Sequence, residues 1–164
     1  AYGTSSTLRL KSALNRGGTV EYIYMTNVVA DGVQNVLAAD LNWNPSYSYS
    51  ELPAEYEGKE VPEHWNVMLQ KVEPVEKGYP HFNHVYLANV KATNAKQFIS
   101  ASGWNDSLTL NDFTLYNLDV EAEKAGIVAH TKKFRLTDIK LKISDNSQIE
   151  FNKNSQLKKN IRYE

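Results

Sequence analysis

Thr7-Leu8-Arg9-Leu10-Lys11-Ser12 sets two cations two residues apart in an alternating segment. On a strand, Leu8 and Leu10 share one face while Arg9 and Lys11 share the other. A third cation, Arg16, follows in Arg16-Gly17-Gly18. The net charge is −1, so no global field draws in an anion, and any such affinity comes from a local basic patch. Basic side chains on a strand, beside small residues and an aromatic loop, make the floor and wall of a cleft. Trp43, Tyr47, Tyr49 and Trp65 supply such aromatics. Spacing alone favours a plainer reading, in which Arg9 and Lys11 are solvated and Lys11 pairs with Asp40, because exposed ion pairs are common and weak.

Other chemistries find less support. There is no cysteine, which removes disulfides, thiolate metal sites and a thiol nucleophile. His64, His81, His84 and His130 lack metal-ligand spacing, and no Ser-His-Asp arrangement stands out. Asp31 and Asp112 flank turns and Asp40 neighbours Lys11, but nothing pairs these carboxylates as acid and base. No cofactor and no metal are expected. Neither a nucleic-acid partner nor a membrane is expected either. No apolar run approaches the roughly 20 residues that span a bilayer, and no leader pattern opens the sequence.

The elements that position these residues follow from a repeat. Ile23-Tyr24-Met25-Thr26-Asn27-Val28 is answered by Val85-Tyr86-Leu87-Ala88-Asn89-Val90. Phe113-Thr114-Leu115-Tyr116-Asn117-Leu118 and Phe134-Arg135-Leu136-Thr137-Asp138-Ile139 complete the set. Each reads apolar, any, Met or Leu, any, Asn or Asp, apolar. The fifth position shares the parity of the first and third, so the Asx is expected on the apolar side, as an internal ladder. The aliphatic residue after it requires a corner, and Asn tolerates the left-handed backbone that a corner needs. Each copy continues as strand, corner, strand, turn, strand, with Leu37, Ala39 and Leu41 as the third strand of the first. The Asx positions lie 62, 28 and 21 residues apart, and the shorter intervals fit one coil of a solenoid.

The predicted fold is all-β: a right-handed parallel β-helix, a single-stranded solenoid of about four coils with an Asx ladder at one corner. Residues 1–164 form one domain, expected to be the C-terminal portion of a longer enzyme. All five prolines fall between positions 45 and 80, so residues 43–81 read as an ordered, aromatic, proline-rich loop that rejoins the coils at Phe82. The lysine-rich stretch from Asn152 to Glu164 is a last strand or a cap. Stacked coils put equivalent residues about 4.8 Å apart. Arg9 is thereby set beside Ala38 and Lys11 beside Asp40, with Ser100 and Ser102 one coil further on. The first coil is expected to expose an apolar end, open to self-association or to an upstream segment.

Leu8-Arg9-Leu10-Lys11-Ser12, Arg16-Gly17-Gly18-Thr19-Val20-Glu21-Tyr22-Ile23 and Asn27-Val28 together resemble the C-terminal half of glycoside hydrolase family 28. Leu41-Asn42-Trp43-Asn44-Pro45-Ser46-Tyr47 is similar to a further segment of that family. These are polygalacturonases and rhamnogalacturonases, with a right-handed parallel β-helix fold. The resemblance implies that Arg9 and Lys11 bind the substrate carboxylate near the scissile bond, which tips the reading from solvated to functional. Arginine holds a uronate carboxylate by two parallel hydrogen bonds, and lysine adds a compact charge. The family also uses an aromatic, usually Tyr, near the position of Trp43. Arg16 and Tyr47 complete the expected substrate-binding set. The partner so implied is an acidic plant-type polysaccharide, pectin or galacturonan, and the location secreted or periplasmic. The family's Asn-Thr-Asp, Asp-Asp and Gly-His-Gly strings do not occur here. The chain alone is therefore expected not to hydrolyse pectin, and a non-catalytic carbohydrate-binding or structural solenoid is the alternative.

Overall fold

A computed structural model describes residues 1–45, 48 and 51–164. Seven strands form one sheet: β1 (Ser6–Lys11), β2 (Thr19–Asp31), β3 (Asn35–Asp40), β4 (His81–Ser102), β5 (Leu110–Ile143), β6 (Glu150–Ser155) and β7 (Lys158–Tyr163). The order is β1-β3-β4-β5-β6, with β2 also on β4 and β7 also on β5. Every pairing between them is parallel. Strand is the dominant structure, as expected, and the lysine-rich end supplies the last two strands.

The separate short strands expected around each corner merge into long ones. A straight strand of 34 residues, the length of β5, would run roughly 110 Å. Instead it bends where the backbone turns left-handed, at Asp112, Asn117, His130, Lys133 and Asp138, and at Gly126. Its two halves lie together, since Phe113 stacks on Phe134 with centroids 5.5 Å apart and Ser144 N donates to Ala122 O at 3.0 Å. Repeat positions therefore stack by residue type. Met25 pairs with Leu87 and Leu87 with Leu115, and Val28, Val90 and Leu118 align likewise. These side chains feed a single apolar core that includes Phe82, Phe98, Phe113 and Phe134.

All four Asx residues adopt left-handed φ, at 58°, 53°, 55° and 54° in chain order. Asn89 Nδ2 donates to Asn27 Oδ1 at 3.1 Å, and Asn117 Nδ2 to Asn89 Oδ1 at 2.8 Å. The ladder exists, but it is exposed rather than internal. Parity fails because the left-handed residue interrupts the pleat, so two successive residues face outward between Met25 and Val28. A second left-handed column precedes each copy: Tyr22, His84, Asp112, Lys133 and then Gln156.

Between β3 and β4 the chain leaves the sheet, and strand structure resumes at His81, one residue before the expected Phe82. This loop is not free of helix. Among its described residues it contains α1 (Glu63–Met68) and two 3-10 turns, Ala54–Tyr56 and Val75–Gly78. Pro62 opens α1 and Glu63 in its first turn favours the positive end of the helix dipole. Trp65 and Met68, three apart, are its more sheltered residues, and Trp65 meets Tyr56 with ring centroids 6.2 Å apart. A helix of six residues, under two turns, carries too short a pattern to be read from periodicity.

Candidate functional site

The register of β1 on β3 sets Arg9 against Ala38 and Lys11 against Asp40. Strand β4 continues the columns with Ser100 and Ser102. Both cations point outward because Leu8 and Leu10 take the alternate, inward positions. Past the strand ends the two segments remain laced: Ser12 N donates to Asp40 O at 3.0 Å, and Trp43 N to Ser12 O at 3.1 Å. Buried Asn42 ties this junction. Its Oδ1 accepts from Leu14 N at 3.4 Å and from the Ser48 hydroxyl, while its own N–H donates to Asp40 Oδ1 at 2.7 Å. Asn15 Nδ2 in turn donates to Ser48 O. The loop is thus fastened to both strands where Trp43 leaves β3.

Trp43 lies against the two cations. Lys11 Nζ sits 4.1 Å from its ring centroid and Arg9 Cζ 5.6 Å, both within cation–π range. The three residues line a cavity of about 330 Å³ together with Asp40, Asn35 and Ser100. Lys11 and Asp40 are register neighbours, yet no ion pair joins them among the described residues. Lys11 is drawn to the ring instead. Burial pushes the Asp40 carboxyl above its ordinary range, opposed by the smaller effect of the Asn42 N–H. The cavity therefore holds two exposed cations, an aromatic ring and a single carboxylate.

The expected set is only partly gathered. Arg9, Lys11 and Trp43 meet, while Arg16 is exposed on the turn between β1 and β2 and does not line the cavity. Tyr47 and Tyr49 lie outside the described residues. Of the loop histidines, His64 packs in α1 beside Trp65. Among the described residues no group of three or more His, Asp or Glu is placed to hold a metal ion. No helix is long and apolar enough to cross a membrane among them.

A larger cavity, about 610 Å³, lies elsewhere, with Asn94, Lys96, Glu121, Glu123 and Lys142 among its walls. Its cations are already engaged, Lys96 by Glu123 and Lys142 by Glu121 at 3.6 Å. It therefore offers an anion little uncompensated charge. Sequence reasoning missed a third grouping on the second left-handed column. Tyr22 stacks on His84 with centroids 4.9 Å apart. His84 Nδ1 lies 2.8 Å from Asp112 Oδ2, and Arg135 donates to Asp112 Oδ1 at 2.6 Å. The Arg135 hydrogen bond, with His84 adding to it, holds the Asp112 carboxyl below its usual range despite some burial. The available signal was positional: Tyr22, His84, Asp112 and Lys133 each stand directly before the first residue of a repeat copy.

Comparison of the chain with protein-family models, with curated proteins and with solved structures finds no match in any of the three.

Proposed function

We propose that the chain is the C-terminal β-helix portion of a pectin-degrading, polygalacturonase-like glycoside hydrolase, and that it holds a uronate carboxylate without cleaving the polymer alone. The observation that carries this reading is the meeting of Arg9, Lys11 and Trp43 around one cavity. Two outward cations with no ion-pair partner among the described residues suit an anionic sugar, and the ring that lies against them adds no opposing charge. A right-handed solenoid of about four coils accounts for the wholly parallel pairing, the pairing interval of 28 residues, the recurrent left-handed corners and the single core. A polymer of this kind lies outside the cell, which makes the site of action secreted or periplasmic.

A second reading, a non-catalytic carbohydrate-binding solenoid, is favoured by the carboxylates. Inverting hydrolysis needs an acid and a base roughly 6.5–9.5 Å apart, and Asp40 is the one carboxylate in the cavity wall. Both readings predict binding. Calorimetric titration with trigalacturonate should show uptake that Arg9→Ala and Lys11→Ala each weaken by about tenfold, the value of one charge-assisted hydrogen bond. Neutral oligosaccharides should bind far less. Equal affinity for charged and neutral sugars, or wild-type affinity in both variants, would sink the carboxylate reading. Release of reducing ends from polygalacturonate by the chain alone would sink the claim that it does not cleave.

A further inference from the structure

We infer that Trp43 is a positioning residue for the two cations: its ring face seats Lys11 and Arg9 side by side, so that both charges are aimed into the cavity before any ligand arrives. The inference rests on the reading of this cavity as a uronate site and goes beyond it, because the ring's partners are the protein's own cations.

Residues two apart on one strand face set their side chains about 7 Å apart, so like charges there repel and long side chains spread away from each other. Nothing acidic restrains them, for Asp40 makes no ion pair with Lys11 and its carboxyl is turned to the Asn42 N–H. The negative face of an indole supplies the missing restraint without neutralising either charge. Both contacts are made to one ring, at 4.1 Å and 5.6 Å, so the ring fixes the cations relative to each other. The backbone that carries the ring is held in place: the Trp43 backbone N–H donates to Ser12 O, next to Lys11, at 3.1 Å, and the preceding Asn42 is buried and hydrogen-bonded to Leu14, Asp40 and Ser48. An acidic residue at position 43 would order the cations equally well, yet it would cancel the charge that attracts a carboxylate. An aliphatic residue would leave the charge and lose the order. Pre-ordering lowers the rotamer entropy lost when the ligand binds.

The test uses Trp43→Phe and Trp43→Leu in the full chain, with unchanged circular dichroism and melting temperature as the check on folding. In the ligand-free protein, the Lys11 ε-proton resonances should lie upfield of those of Lys124 through the indole ring current. They should stay upfield in Trp43→Phe and return to the Lys124 position in Trp43→Leu. Titrated with trigalacturonate, Trp43→Phe should stay within about threefold of wild type, while Trp43→Leu should weaken by roughly tenfold, the loss expected for two exposed cation–π contacts. Absence of the upfield shift in wild type overturns the inference, as does undiminished binding by Trp43→Leu. Equal loss in both variants overturns it too, since it would assign the indole a contact with the sugar that a phenyl ring cannot make. If wild type shows the shift but takes up no trigalacturonate, the uronate reading fails while the seating of the cations stands.

Discussion

Asp40 and Asp112 are two carboxylates that the fold treats in opposite ways. Asp112 accepts from Arg135 and His84, and its folded-state pKa is depressed. The stabilisation it brings is complete above the unfolded value, near 3.9, and is lost as pH falls through the depressed folded value. Asp40 is partly buried with one N–H to satisfy it, and its folded-state pKa is raised. Its ionisation costs stability, and that cost is absent below the unfolded value and complete once pH exceeds the raised folded one. Asp112→Asn should therefore lower stability at pH 7 by about 1 kcal/mol, the scale of a partly exposed charge network, with the deficit shrinking in acid. Asp40→Asn keeps an oxygen for the Asn42 N–H and should raise the melting temperature at pH 7, with the gain vanishing in acid. Thermal melts of both variants and wild type from about pH 3 to pH 7 decide the matter. Parallel pH profiles for the two differences would refute the assignment of their environments.

At the scale of the elements, the corner determines both what was legible and what was not. The Asx ladder gave away the register: aligning Asn27, Asn89 and Asn117 brings Leu37 onto Ile99 and Val85 onto Phe113, as the pairings are. Stacking Leu8 and Leu10 on Leu37 and Ala39, an apolar match with no Asx in it, set Arg9 and Lys11 beside Ala38 and Asp40. The direction of the Asx side chain was misread because period-two parity holds only within an unbroken pleat, and φ near 55° breaks it. The second corner stayed hidden because Tyr22, His84, Asp112 and Lys133 share no chemistry, and left-handed backbone is rarely met at Tyr or Lys. The contact of Trp43 with the cations depended on side-chain rotamers, which spacing does not specify. Asn89 offers a direct test of the corner. Asn89→Ala forfeits two ladder hydrogen bonds and puts a Cβ in left-handed backbone without compensation. It should cost about 2 kcal/mol in urea unfolding, whereas Asn89→Gly, which relieves only the backbone, should cost about 1 kcal/mol. Equal costs would mean that the backbone of the corner is not the source of the preference.

Taken as a whole, the molecule has two unlike ends. At one end β2 pairs with β4 alone among the described strands, and Ala1–Gly3 cover only its last residues, through Ala1 N to Val29 O at 2.7 Å and Gly3 N to Asp31 O at 2.8 Å. Ile23, Met25 and Val28 are left half-buried, although their stacking partners Val85, Leu87 and Val90 are at most 2% exposed. Tyr22 and Tyr24 stand out to 60% and 69%, and Glu21 is the one charge between Thr19 and Ala30. The other end is guarded. Lys159 falls in the Leu column, opposite Leu136, and lays its ammonium 4.6 Å over the Phe151 ring, with exposed Lys158 beside it, while Arg162 is paired with Glu164 at 2.7 Å. Charges of one sign on an edge repel a second edge, whereas an uncharged apolar edge with free backbone groups accepts one. For the isolated chain, association is therefore expected through β2, the edge on which an upstream segment of a longer protein would otherwise pair. Sedimentation velocity should show the mean mass of the chain rising with concentration. Met25→Lys, which carries the guarding device to the open end, should hold it monomeric at the same concentrations, while Lys158→Ala should leave association unchanged or stronger. A wild-type chain that stays monomeric and takes up no apolar dye would show that β2 covers its own edge in solution. Because hydrophobic burial rather than charge would drive the contact, added salt should preserve it while weakening the proposed binding of a uronate at Arg9 and Lys11, so the two effects separate by ionic strength.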